Sequence, residues 1–230
     1  AVLNWIHMIE KGVDYNGDTD AYLKDCLDRF RLVLIPCMNP DGRARIPYDT
    51  LVGMPLAKMR YYVQGTWKDD TLCGWPDCKV VHPIKDDVNY LGGYFNDNGV
   101  NLMHDNFFLP MADETKGLME LVDREAADAM VLLHGGANTR NHIIPTSYYT
   151  PYIEKKQNLF VEKLLEAYQV RGIKFWPAYG NGTSDRLPPP SFNLTSALHH
   201  ITGGLSMTFE SNMALDAPGE KYTYKEILEG

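Results

Sequence analysis

Apolar residues recur at helical spacing in some stretches of the chain and stand in unbroken runs in others, and the contrast predicts its elements. Val2, Ile6, Ile9 and Val13 fall at i, i+4, i+7 and i+11, which predicts a helix over residues 1–12. Asp18, Thr19 and Asp20 supply an N-cap for a second helix around 20–30, with Tyr22, Leu23, Leu27 and Phe30 on its apolar side. Residues 113–128 repeat the pattern through Leu118, Leu121 and Val122, and residues 151–170 through Phe160, Leu164, Leu165 and Tyr168. A shorter helix is expected over 193–201. Three continuous apolar runs, 31–37, 129–134 and 205–210, read instead as buried strands. The first runs into the turn Asn39-Pro40-Asp41-Gly42, the second stops on His134 before Gly135-Gly136, and the third stops on Glu210. Residues 43–112 have little periodicity and many Gly, Pro, Trp and Tyr, as expected of irregular chain that lines a cleft. Strands alternating with helices predict an α/β sheet covered on both faces.

Composition narrows the choice of function. A chain of 230 residues fits one domain, 1–230, and can bury roughly 70–75% of its unfolded surface without disulfide staples. With 44% hydrophobic and 23% charged residues it is not a disordered chain. Its 22 Lys and Arg against 30 Asp and Glu give a net charge of -8 with no basic block, which argues against nucleic acid as a partner. No apolar run approaches the ~18 residues of a membrane span. The chain opens on Ala1 without a secretory signal pattern and reads as mature, trimmed or partial. Cys26, Cys37, Cys73 and Cys78 lack metal-type spacing; Cys73 and Cys78 either close a small loop through a disulfide or remain buried thiols. Asn181 and Asn193 open glycosylation sequons.

Candidate chemistry collects at the strand ends, where open α/β sheets bind ligands. A histidine followed by two glycines leaves room for close approach to its imidazole, and a strand-end glutamate on the same rim can act as a general base. Taken singly, each has a structural reading: a core-edge histidine, a surface carboxylate, a plain turn shaped by Asn39 and Asp41. Their order resembles the zinc carboxypeptidase family (carboxypeptidase A-like). There a strand runs into N-P-D-G, here Asn39–Gly42, and a later G-V-D-x-N-R-N segment aligns with Gly99-Val-Asn-Leu-Met-His-Asp105. A strand ends on the third zinc-ligand histidine, matched by His134, and another ends T-x-E, matched by Thr208-Phe-Glu210. The resemblance implies a mixed, roughly eight-stranded central sheet with helices on both faces. It also implies zinc as cofactor, a peptide or amide substrate, His134 as a zinc ligand and Glu210 as the catalytic base.

The same comparison marks departures. The family's H-x-x-E ligands would fall upstream of Ala1, implying an N-terminally shortened chain that is inactive alone; His7-Met-Ile-Glu10 has the spelling but falls inside the first helix. The carboxylate-clamping Asn-Arg pair aligns with Met103-His104, so His104 stands at a substrate-binding position or packs beside Phe107 and Phe108. The family's oxyanion-stabilising arginine is replaced by Lys68 after Trp67, with Arg60 as a second candidate. Its capping tyrosine aligns with Trp176, leaving Tyr179 as a displaced stand-in. His199 and His200 are adjacent on a short helix and point apart, which does not suit a metal pair. The expectation is therefore a zinc-dependent, carboxypeptidase-like hydrolase, secreted or periplasmic by family habit. The alternatives are a non-catalytic member that binds peptide or glycan, or a related zinc amidohydrolase.

Overall fold

The structure is a computed structural model that describes residues 2–20, 22, 25–26, 29–79, 83–107, 110–176 and 192–229. Helix α1 spans Val2–Lys11. It leaves Leu3, Trp5 and Ile9 exposed, while its Asn4 turns inward and accepts from the Tyr15 amide at 2.9 Å. Of the helix expected around 20–30, the described residues Tyr22, Asp25, Cys26 and Arg29 are helical, and Asp20 accepts from the Tyr22 amide as an N-cap would.

The run over 31–37 is not a strand. Among the described residues it joins no ladder, and Leu32, Val33 and Ile35 are 42%, 48% and 39% exposed. Hydrophobicity states a demand for burial; a strand also needs a neighbouring ladder for its amides and carbonyls, and the described residues give this run none. Its start is held by the Arg31–Glu125 ion pair at 2.7 Å.

Residues 43–112 are more ordered than their lack of periodicity suggests. Asn39 caps helix α2 (Pro40–Arg45), its Oδ1 accepting from the Gly42 amide at 3.0 Å, with proline at the first helical position. Helix α3 spans Leu56–Gln64 and runs into strand β1 (Gly65–Trp67), which pairs antiparallel with β2 (Val88–Leu91). The expected roughly eight-stranded central sheet is not formed. The described residues make five strands in two small sheets, one of two strands and one of three.

The three-stranded sheet is built from the rest of the chain. Helix α4 (Asp113–Glu125) ends where Ala126 takes a left-handed conformation, and β3 (Ala129–Gly135) follows. A short strand the pattern did not reveal, β4 (His142–Pro145), precedes α5 (Pro151–Arg171), which is capped by Thr150 and closed by Gly172. Helix α6 (Leu194–Thr202) is capped by Asn193 and leads to β5 (Leu205–Ser211), after which α7 (Tyr224–Glu229) ends the described chain. The strand order is β3-β5-β4, with β3 parallel and β4 antiparallel to the central β5.

Alternation along the strands divides their side chains between two faces. Met207 and Phe209 of β5 and Ile143 of β4 pack with Val161, Leu164, Leu165 and Tyr168 of α5. On the other face, Met130 and Leu132 of β3 pack with Leu118 and Val122 of α4 and with Leu194 and Leu198 of α6. Burial of each such side chain contributes about 1.5–3 kcal/mol. Helices thereby cover part of each face, but Val131 and Leu133 of β3 on the α5 side and Ile144 of β4 on the other stay exposed, so the expected cover of both faces is only partial. No helix among the described residues is long and apolar enough to cross a membrane.

Candidate active site

In-register pairing brings three polar side chains into one row. Glu210 on the central strand lies opposite His134 of β3 on one side and His142 of β4 on the other. Residues paired across a ladder share a face, so all three project from the same side of the sheet. His134 Nδ1 stands 4.0 Å from Glu210 Oε1, in electrostatic reach but beyond a hydrogen bond. Burial acts on both groups in the direction that removes charge. It pushes the Glu210 carboxyl above its usual value, with the charge of His142 working the other way, and it pushes the His134 imidazole down. A neutral imidazole thus lies beside a carboxylate whose affinity for a proton is raised, as suits a metal ligand and a general base.

The loops around this row fix its position. The Gly136 amide donates to the Ser211 carbonyl at 2.7 Å, and the Ser211 hydroxyl donates to the His134 carbonyl at 3.0 Å. Asn138 Nδ2 donates to the carbonyls of Leu215 and Ala217, and its Oδ1 accepts from the Leu215 amide at 2.7 Å. Asn212, itself buried, spans from the Thr139 carbonyl to the Glu220 carbonyl. The chain after the histidine is thereby laced to the chain after the glutamate. Space left by the two glycines is used by this packing: a Cβ on Gly135 would meet Met213 Sδ at 2.7 Å, and one on Gly136 would meet Thr139 Oγ1 at 2.8 Å and Glu210 at 3.2 Å.

Residues from the irregular region form a wall beside the row. Tyr94 feels the charge of Glu210, and its phenol is pushed up chiefly by burial. Its ring meets Trp75 edge-on with centroids 6.2 Å apart, and Trp75 in turn lies 5.9 Å from the ring of His104. His104 is therefore linked to the neighbourhood of Glu210 through two aromatic rings. Asn39 and Asp41 prove to be positioning elements: Asn39 Nδ2 donates to the Gly93 carbonyl at 3.1 Å, and Asp41 accepts from the Asp97 amide at 3.0 Å. They hold the loop that carries Tyr94.

The remaining candidates lie apart from the row or outside view. Lys68 begins an exposed turn after β1 and does not figure among the charges that act on Glu210; Arg60 is exposed on α3. Tyr179 lies outside the described residues. His7 stacks on Tyr15 at 4.7 Å within the N-terminal segment. His199 is buried with Nδ1 on the Gly204 carbonyl at 2.7 Å, so it serves the turn into β5. Cys73 and Cys78 are free thiols in one buried cluster with Ile84 and Phe95, and burial pushes the Cys73 thiol up to about 11. Sequence reasoning missed His142, Tyr94 and Trp75. Around His142 the sequence offers only the two apolar residues Ile143-Ile144, too few to show a period.

No family model, no curated protein and no solved structure matches the chain. The donor set fits zinc in part. Burial pushes His134 toward the neutral form that ligates, yet among the described residues no three His, Cys, Asp or Glu side chains converge on one point.

Proposed function

We propose that the chain carries a hydrolytic site for peptide or amide bonds of the zinc-carboxypeptidase type, with Glu210 as general base and His134 as the residue that would contribute to holding zinc. The observation that carries the reading is the strand-end pair itself, a partly buried carboxylate pushed toward holding a proton, 4.0 Å from an imidazole pushed toward its neutral form on the same sheet face. Bound zinc would supply an acidified water and polarise the carbonyl. In this arrangement Glu210 takes a proton from the attacking water, and its partial burial strengthens it as a base near neutral pH. The loops laced through Asn138 and Asn212 hold the carboxylate still while it does so. Tyr94, Trp75 and His104 wall one side of the approach.

The experiment is incubation with a mixture of defined peptides, half with free and half with amidated C-termini, in zinc-containing buffer, with products read by mass spectrometry. New termini are expected from the wild-type protein extended to its native N-terminus, where the resemblance places the H-x-x-E zinc ligands. Cleavage of the free C-terminal set alone points to a carboxypeptidase, and cleavage of both sets to an amidohydrolase. No product from either set overturns the reading.

A further inference from the structure

The hydrolase reading leaves open how the departing amine acquires its proton, and the inference that follows rests on that reading. His142 stands directly opposite Glu210 in the antiparallel half of the sheet, on the face that also carries His134. Paired residues in such a ladder have Cβ atoms about 4.5–5.5 Å apart. Its Nδ1 lies 2.9 Å from the Arg140 carbonyl oxygen. A carbonyl can only accept, so Nδ1 carries a hydrogen, and Nε2 is the nitrogen left for a reactant. Among the described residues Nε2 has no hydrogen-bond partner; the ring's other neighbour is the indole of Trp176, edge-on at 6.1 Å. His134 stands on the opposite flank of Glu210, 4.0 Å from its carboxylate, so the two imidazoles occupy different sides of the base.

We propose that His142, as an imidazolium with Nδ1–H held on the Arg140 carbonyl, is the general acid of this site, a catalytic residue that delivers the Nε2 proton to the leaving nitrogen of the amide and is left as the neutral Nδ1–H ring. The step balances as follows. The water oxygen bonds to the carbonyl carbon and its proton goes to Glu210. The carbon–nitrogen bond then breaks with its electron pair on nitrogen, which takes the proton from His142 Nε2. The proton on Glu210 returns to His142 across the pair, restoring both groups, so that one water is consumed and one carboxylic acid and one amine are released. Separate groups for the two proton transfers suit a carboxylate flanked by imidazoles: the base keeps its place on the central strand while the acid reaches the substrate from β4. The charge of His142 already acts on Glu210, so the return path is electrostatically coupled.

A comparison of leaving groups tests this. An amide nitrogen must be protonated to depart, whereas the 4-nitrophenolate of an activated ester departs without help. His142→Asn keeps an N–H for the Arg140 carbonyl and removes the Nε2 proton. The expected result is a fall of about a hundredfold in kcat on a peptide amide, with the matched 4-nitrophenyl ester within about threefold of wild type. Retained ester turnover also shows that the variant folds. An equal fall on both substrates, or an unchanged amide rate, overturns the assignment. Glu210→Gln is run beside it and is expected to slow both substrates. If Glu210→Gln leaves both rates intact, the hydrolase reading fails, whatever the His142 variant does.

Discussion

Gly42 sits where a methyl group has no room, because a Cβ there would stand 2.1 Å from the backbone oxygen of Gly93 and 2.4 Å from Asn39 Nδ2. Gly42→Ala must push the α2 turn off the loop that carries Tyr94, and a cost of about 1–3 kcal/mol is expected, read as a lower midpoint in urea unfolding. Asn138→Ala is expected to cost a similar amount, about 1–3 kcal/mol, since it strips partners from the buried Leu215 amide and from two carbonyls at once. His134 and Glu210 were legible in the sequence because each ends an apolar run, so a polar group at that point has to face the rim. His142 was not, since two apolar residues after it are too few to show a period. Asn138 and Asn212 were hidden for another reason: their partners lie 77 and 73 residues away, beyond any local pattern.

At the scale of elements, helix α7 opens with a reciprocal cap in which the Thr223 amide donates to Glu226 at 2.7 Å and the Glu226 amide donates to Thr223 Oγ1 at 3.2 Å. Lys174 adds an ion pair at 3.0 Å, and together these hold the Glu226 carboxyl down at about 2, from an ordinary 4.5. A depressed pKa means that the stabilising contribution is present above the ordinary value and is lost as pH falls toward about 2. The difference in melting temperature between wild type and Glu226→Gln should therefore be open at pH 6 and narrow progressively below pH 4.5; a constant difference would refute the cap's dependence on charge. Helices α4 and α5 were readable from their apolar spacing, since that signal is local. The run over 31–37 was not, because its sequence describes a strand while pairing is settled by what lies alongside. Hydrogen exchange distinguishes the two directly: amides of Leu32, Val33 and Ile35 are expected to exchange fast, and those of Met207 and Phe209 slowly. Slow exchange over 32–35 would contradict an unpaired segment.

Across the whole molecule, the fold delivers its chemistry to one rim. A parallel pair, β3 and β5, carries a histidine and a glutamate to the same end, and an antiparallel third strand adds a second histidine beside the glutamate. Helices cover part of each face of the sheet, and the turn that opens α2 and the Tyr94 loop are pinned together by Asn39 and Asp41. The sequence's alternation of runs and spacings was enough for the α/β layering around the rim, but the number of strands depended on pairings between distant segments that no local pattern encodes. The central claim is that Glu210 is the base of a hydrolytic site. Its most direct test is kcat/KM for the best peptide substrate in wild type and Glu210→Gln, with the melting temperatures of both measured alongside. A loss of about 10²–10⁴-fold with the melting temperature kept is the predicted result; an unchanged kcat/KM in a folded Glu210→Gln chain would contradict the account.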